Sequence, residues 1–112
     1  MMSRKMVTVP KDKYAEDALD YDDAMPEHLI EVEFTVSEFR ELWDVGFFDA
    51  LNDVTLAMID DFESAEIIKR EHLEEILNSD VFNLPVSNDI LDRLKRLFEE
   101  ALERGTGVYF SF

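Results

Sequence analysis

The chain has 112 residues, no cysteine and a formal net charge of −16, with 27 acidic side chains against 11 lysines and arginines. That length suits one domain, and 46% apolar residues with nine phenylalanines favour a folded globule over a disordered chain. The missing thiols exclude a disulfide framework and a thiolate zinc site, and no apolar run approaches the ~18–20 residues that span a bilayer.

The acidity is regional. Residues 12–63 hold seventeen acids against Lys13 and Arg40, a net of −15, whereas residues 1–11 carry +3, residues 64–88 carry −3 and residues 89–112 carry −1. A field of this sign repels nucleic acid and anionic membrane and speeds encounter with basic surfaces.

Taken in order, residues 1–5 read as a flexible basic tail, and Met6–Val9 as a short edge strand closed by Pro10. MMSRKMVTVP has no apolar core of 7–15 residues behind its basic groups, so it does not read as a secretory signal. Residues 11–28, KDKYAEDALDYDDAMPEH, read as an acidic, mostly irregular arm. Tyr14, Ala18 and Tyr21 would share one side of a short helix there, but Asp20, Asp22 and Asp23 weigh against it. Leu29–Val36 alternates as a half-buried strand does, with Ile30, Val32, Phe34 and Val36 on one side and Glu31, Glu33 and Thr35 on the other.

Ser37 is positioned to cap a helix near 38–45 that carries Phe39, Leu42 and Trp43 on one face. Gly46 poses a choice. A helix running straight through it gains Phe47, Ala50 and Leu51 and leaves Phe48 on the acidic side. A break there starts a second helix near 47–60, with Phe47, Phe48, Leu51, Val54, Met58, Ile59 and Phe62 as its stripe and Leu56 outside. The longer and cleaner stripe favours the break.

Asp60–Ser64 interrupts the pattern, and a helix near 66–78 follows with Ile68, His72, Leu73, Ile76 and Leu77 on one face. Its start is open, because Ile67–Ile68 would also extend a strand. Asn78–Asp80 ends it, and Val81–Val86 connects onward, its apolar residues plugging the end of the core. Residues 89–104 are the clearest helix, with Ile90, Leu91, Leu94, Leu97, Phe98, Ala101 and Leu102 on one face. Ser87, Asn88 or Asp89 can cap it, and Gly105 supplies a left-handed end. Val108, Phe110 and Phe112 then alternate with Tyr109 and Ser111 as a strand near 108–112.

The elements sum to a single α+β domain over residues 1–112, with a small antiparallel or mixed sheet covered on one face by three or four helices. If strands 29–36 and 108–112 share that sheet, its outer face displays Glu31 and Glu33 near Tyr109 and Ser111.

Most catalytic chemistry lacks its parts. DYDDAMPEH has neither the central glycine nor the closing glutamate of a calcium loop, and His28 and His72 belong to no H-E-x-x-H helix. Three glycines are too few for phosphate-cradling loops or an oxyanion hole beside a serine. Arg93, Lys95 and Arg96 are offset by neighbouring acids, so they form no nucleic-acid stripe. The expectation is a non-catalytic protein with no metal, no cofactor, no direct nucleic-acid contact and no membrane contact. The default expectation is a cytoplasmic protein of bacterial or phage type.

What remains is an acidic protein-binding module for a basic partner. The first reading is an inhibitor or immunity-type protein that occludes the cationic cleft of a nuclease toxin. Its contact residues would be Asp17, Asp20, Tyr21, Asp22, Asp23, Glu27, Glu31, Glu33, Asp44 and Asp49. The alternative is a DNA mimic whose carboxylates imitate a phosphate track to titrate a DNA-binding protein. A third reading is an assembly or structural domain whose charge serves solubility, and a second copy of the chain stays open as a partner.

Overall fold

The computed structural model describes residues 5–55, 57–60 and 64–112. The expected tail at 1–4, and the places given to Leu56 and Phe62, lie outside the described residues. Four strands form an antiparallel sheet in the order β2-β1-β4-β3: β1 (Lys5–Pro10), β2 (Leu29–Phe34), β3 (Ser64–Ile67) and β4 (Val108–Ser111). Five α-helices complete the α+β fold among the described residues: α1 (Lys13–Asp20), α2 (Val36–Asp44), α3 (Phe47–Thr55), α4 (Arg70–Leu77) and α5 (Asn88–Arg104).

Period-two alternation sorts the sheet into two faces. Val7, Val9, Phe34, Ile67, Val108 and Phe110 are buried against the helical layer. There α5 lies on β1 and β4, α2 packs beneath β2, and α3 and α4 close the layer. An aromatic cluster joins the two, with Phe39 and Phe112 edge to face at 4.7 Å and Phe48 within 5.2 Å of Phe112.

Several expectations are corrected. The strand foreseen at an edge is β1, and it sits inside the sheet between β2 and β4. Lys5 belongs to that strand and not to a tail. It turns inward, its ammonium 4.6 Å from the Phe39 ring centroid and 3.4 Å from the Phe112 carbonyl. Strand β2 stops at Phe34, because Thr35 and Glu38 form a reciprocal capping box that starts α2 at Val36. Ser37 is therefore inside the helix and Val36 is an exposed helical residue.

Gly46 does break the chain, at φ +80°, and Phe47, Phe48 and Leu51 are buried as the second frame requires. That second helix ends at Thr55 and not near 60, because Asn52 clamps Ile59 through both its amide and its carbonyl. Met58, expected on the stripe, is exposed at φ +59°. Residues 64–67 are a strand, so α4 begins at Arg70 and Ile68 points to solvent. Helix α5 keeps its expected face and ends at Gly105 (φ +69°), while Ser87 sits at the cap position without a side-chain capping bond.

The largest correction is α1. Residues 13–20 are helical, started by the Asp12 carboxylate accepting the Ala15 amide at 2.8 Å. Ala15, Glu16, Ala18 and Leu19 turn inward, whereas Tyr14 and Tyr21 are exposed. Helix α1 lies on the opposite side of the sheet from the other four and covers part of that face through Glu16 and Tyr109, leaving Glu31, Glu33 and Ser111 exposed.

Candidate functional site

Strand register builds the outer face in rows. Glu31, Thr8, Tyr109 and Glu66 align across β2, β1, β4 and β3, and Glu33, Met6, Ser111 and Ser64 form the next row. Strand spacing makes each row roughly 14 Å long, and Glu31 and Glu33 sit about 7 Å apart along their strand. Sequence alternation had placed Glu31, Glu33, Tyr109 and Ser111 on one face, and that face exists, although β1 separates the two strands.

Helix α1 is pinned to this face by one carboxylate. The Tyr109 hydroxyl donates to Glu16 Oε2 at 3.0 Å, and Lys13 Nζ lies 3.0 Å from Glu16 Oε1. Both oxygens of this buried side chain are thus occupied within the molecule. Burial pushes the Tyr109 hydroxyl well above its ordinary pKa, and Glu16, Asp20 and Glu66 push it further the same way. The phenol stays protonated and remains a donor.

Around that anchor the acidic side chains face water. Asp17 and Asp20 lie on the outer side of α1, Tyr21, Asp22 and Asp23 form its exit, and Glu27 lies in the short 3₁₀ turn Pro26–His28. Glu31 and Glu33 are exposed on β2. Eight of the ten expected contact residues therefore belong to one layer, made by α1, its return loop and the outer sheet face. Asp44 and Asp49 do not join them. They stand at the junction of α2 and α3, in the helical layer on the other side of the sheet.

Two contributors escaped sequence reasoning. Glu66 was read as helical, yet it extends the upper row on β3; the Ala65-Ile67 alternation around it was the available signal. Between the end of α1 and strands β4 and β3 an open cleft of about 500 Å³ is lined by Thr8, Leu19, Asp22, Glu66, Tyr109 and Ser111, among others. Nothing local in the sequence brings those segments together. Among the described residues, no three carboxylate or imidazole groups converge closely enough to ligate a metal ion.

Three arginines pair with acids elsewhere, while Lys13 stays on the α1 layer with Glu16. Arg93 bridges Glu38 at 2.6 Å and Asp89 at 3.1 Å, Arg104 holds Glu100 at 2.7 Å, and Arg70 holds Glu74 at 2.9 Å, all within the helical layer.

The fold is that of a solved DNA mimic. The structure described as "Neisseria DNA mimic protein DMP12" superposes with a TM-score of 0.64, covering 96% of this chain and 99% of that one at 17% sequence identity. No protein-family model matches the chain, and no curated protein matches it. At that identity the likeness concerns the backbone architecture. No helix among the described residues is long and apolar enough to cross a membrane.

Proposed function

We propose that this protein is a non-catalytic DNA mimic, which binds the nucleic-acid surface of a DNA-binding protein through the carboxylates of α1, its return loop and the outer sheet face. One observation carries the reading. Acids from four separate segments gather on one layer, while the arginine pairs Arg70–Glu74, Arg93–Glu38 and Arg104–Glu100 lie in the other. A protein evolved to grip phosphates meets a layer of exposed carboxylates, and long-range attraction speeds the encounter. The shared architecture with a DNA mimic supports the same reading. The nuclease-inhibitor reading suggested by charge alone uses the same basic-partner electrostatics, but the fold likeness adds nothing to it and favours mimicry.

Competition with DNA tests this. The immobilised chain should capture a basic protein from its native host, and that protein should release bound duplex DNA when the free chain is added. A captured partner that holds DNA and the chain together, or that has no affinity for DNA, would overturn the proposal.

A further inference from the structure

Helix α1 presents an unusual solvent face. On a helical wheel Tyr14, Asp17 and Tyr21 fall within about 60° of one another, one or two turns apart. The two tyrosines are 71% and 79% exposed. Tyr14 is held in place by an edge-to-face contact with His28, ring centroids 5.5 Å apart. The opposite side of the same helix, Ala15, Glu16 and Leu19, already supplies its packing against the sheet. The tyrosine rings are thus not needed to hold α1 down.

We infer that this face is an arginine-binding ridge, which rests on the reading of the layer as a docking surface for a basic protein. Two ring faces stand about 10 Å apart along the axis with a carboxylate between them. A guanidinium stacked on either ring lies within reach of Asp17 and, towards the exit, Asp20 or Asp22. Guanidinium is planar and weakly hydrated, so it can stack on a ring while donating two hydrogen bonds to one carboxylate; a lysine ammonium is a compact, strongly hydrated point charge. The ridge therefore selects partners rich in arginine. It also adds a component of affinity that salt screens less than it screens the carboxylates. A phosphate track lacks such rings, so in this respect the surface exceeds imitation.

The test uses two fluorescent peptides, one alternating arginine with serine and one alternating lysine with serine, titrated with the full chain by anisotropy. The arginine peptide should bind about five- to thirtyfold tighter than the lysine peptide, the effect of two stacked rings. Replacing both tyrosines with leucine (Tyr14→Leu, Tyr21→Leu) should abolish the preference, and Tyr14→Phe with Tyr21→Phe should keep it. In the unaltered chain the arginine peptide should shift the ring-proton resonances of Tyr14 and Tyr21, a readout independent of any variant's folding. Equal affinity for the two peptides, or unmoved tyrosine resonances, would overturn the ridge. If the preference is absent while DNA displacement persists, the ridge fails and the mimic stands. If the preference is present but the captured partner does not compete with DNA, the mimic fails and the ridge stands.

Discussion

Helix α1 and helix α5 both end in a left-handed residue whose following amide reaches back into the last turn. In α5 that residue is Gly105, with Thr106 N bonded to the Ala101 carbonyl at 3.0 Å. In α1 it is Asp22 (φ +57°), with Asp23 N bonded to the Ala18 carbonyl at 2.7 Å. A glycine adopts this conformation freely, whereas an aspartate is strained in it. Helix α5 buries Leu94, Phe98 and Ala101 completely and carries the ion pairs Arg93–Asp89 and Arg104–Glu100. Helix α1 buries little, exposes two aromatic rings, and keeps a carboxylate where glycine would be more stable. One is organised by its packing and the other by what it shows to solvent.

The difference can be broken most forcefully at the packed end. Phe98→Ala should lower unfolding free energy by about 3–5 kcal/mol in a denaturant titration, whereas Tyr21→Ala on α1 should stay within about 0.5 kcal/mol. A large loss for Tyr21→Ala would mean that α1 is held by its outer face after all.

The two helix ends should respond with opposite signs. Gly105→Ala, with open space around it but a left-handed backbone, should destabilise by about 1–2 kcal/mol. Asp22→Gly should stabilise by up to about 1 kcal/mol. Asp22→Asn removes the charge and tolerates the conformation, so thermal melts of the three variants separate strain from repulsion.

A smaller effect is expected at the Thr35–Glu38 capping box. The hydrogen bond from the Thr35 amide, aided by Arg93, holds the Glu38 carboxyl below its ordinary value of 4.5 against the opposing pull of burial. Its contribution is complete above that ordinary value and is lost as pH falls through the lowered one. Glu38→Gln should therefore cost stability at pH 7 and converge towards the unaltered protein in acid. Parallel acid profiles would contradict the assignment.

How much of this could be read from residues alone follows the same division. Helix α5, the alternation of β2 and β4, and the break at Gly46 were legible because each pattern is local and each element is packed along its length. Helix α1 was not. Asp20, Asp22 and Asp23 lower its intrinsic propensity, and what holds it is the Glu16–Tyr109 bond between segments 93 residues apart. Strand β3 was hidden because four residues give too few alternations, and Ile68 beyond it mimics the start of a helical stripe. The interior position of β1 follows from pairing on both sides, which no single segment encodes. In the site, the acids of α1 and β2 were legible as charge, but Asp44 and Asp49 were grouped with them on sequence proximity and the fold sends them to the other layer.

The direct trial of the central claim neutralises four acids on each layer and compares affinity for a captured DNA-binding partner across a salt series. One variant carries Asp17→Asn, Asp20→Asn, Asp22→Asn and Asp23→Asn; the other carries Asp44→Asn, Asp49→Asn, Glu71→Gln and Glu75→Gln, all exposed positions of the helical layer. The first set should weaken binding by about tenfold or more and flatten its salt dependence, while the second should leave affinity within about twofold. Equal losses from both sets, or a larger loss from the second, would contradict a docking surface on the α1 layer.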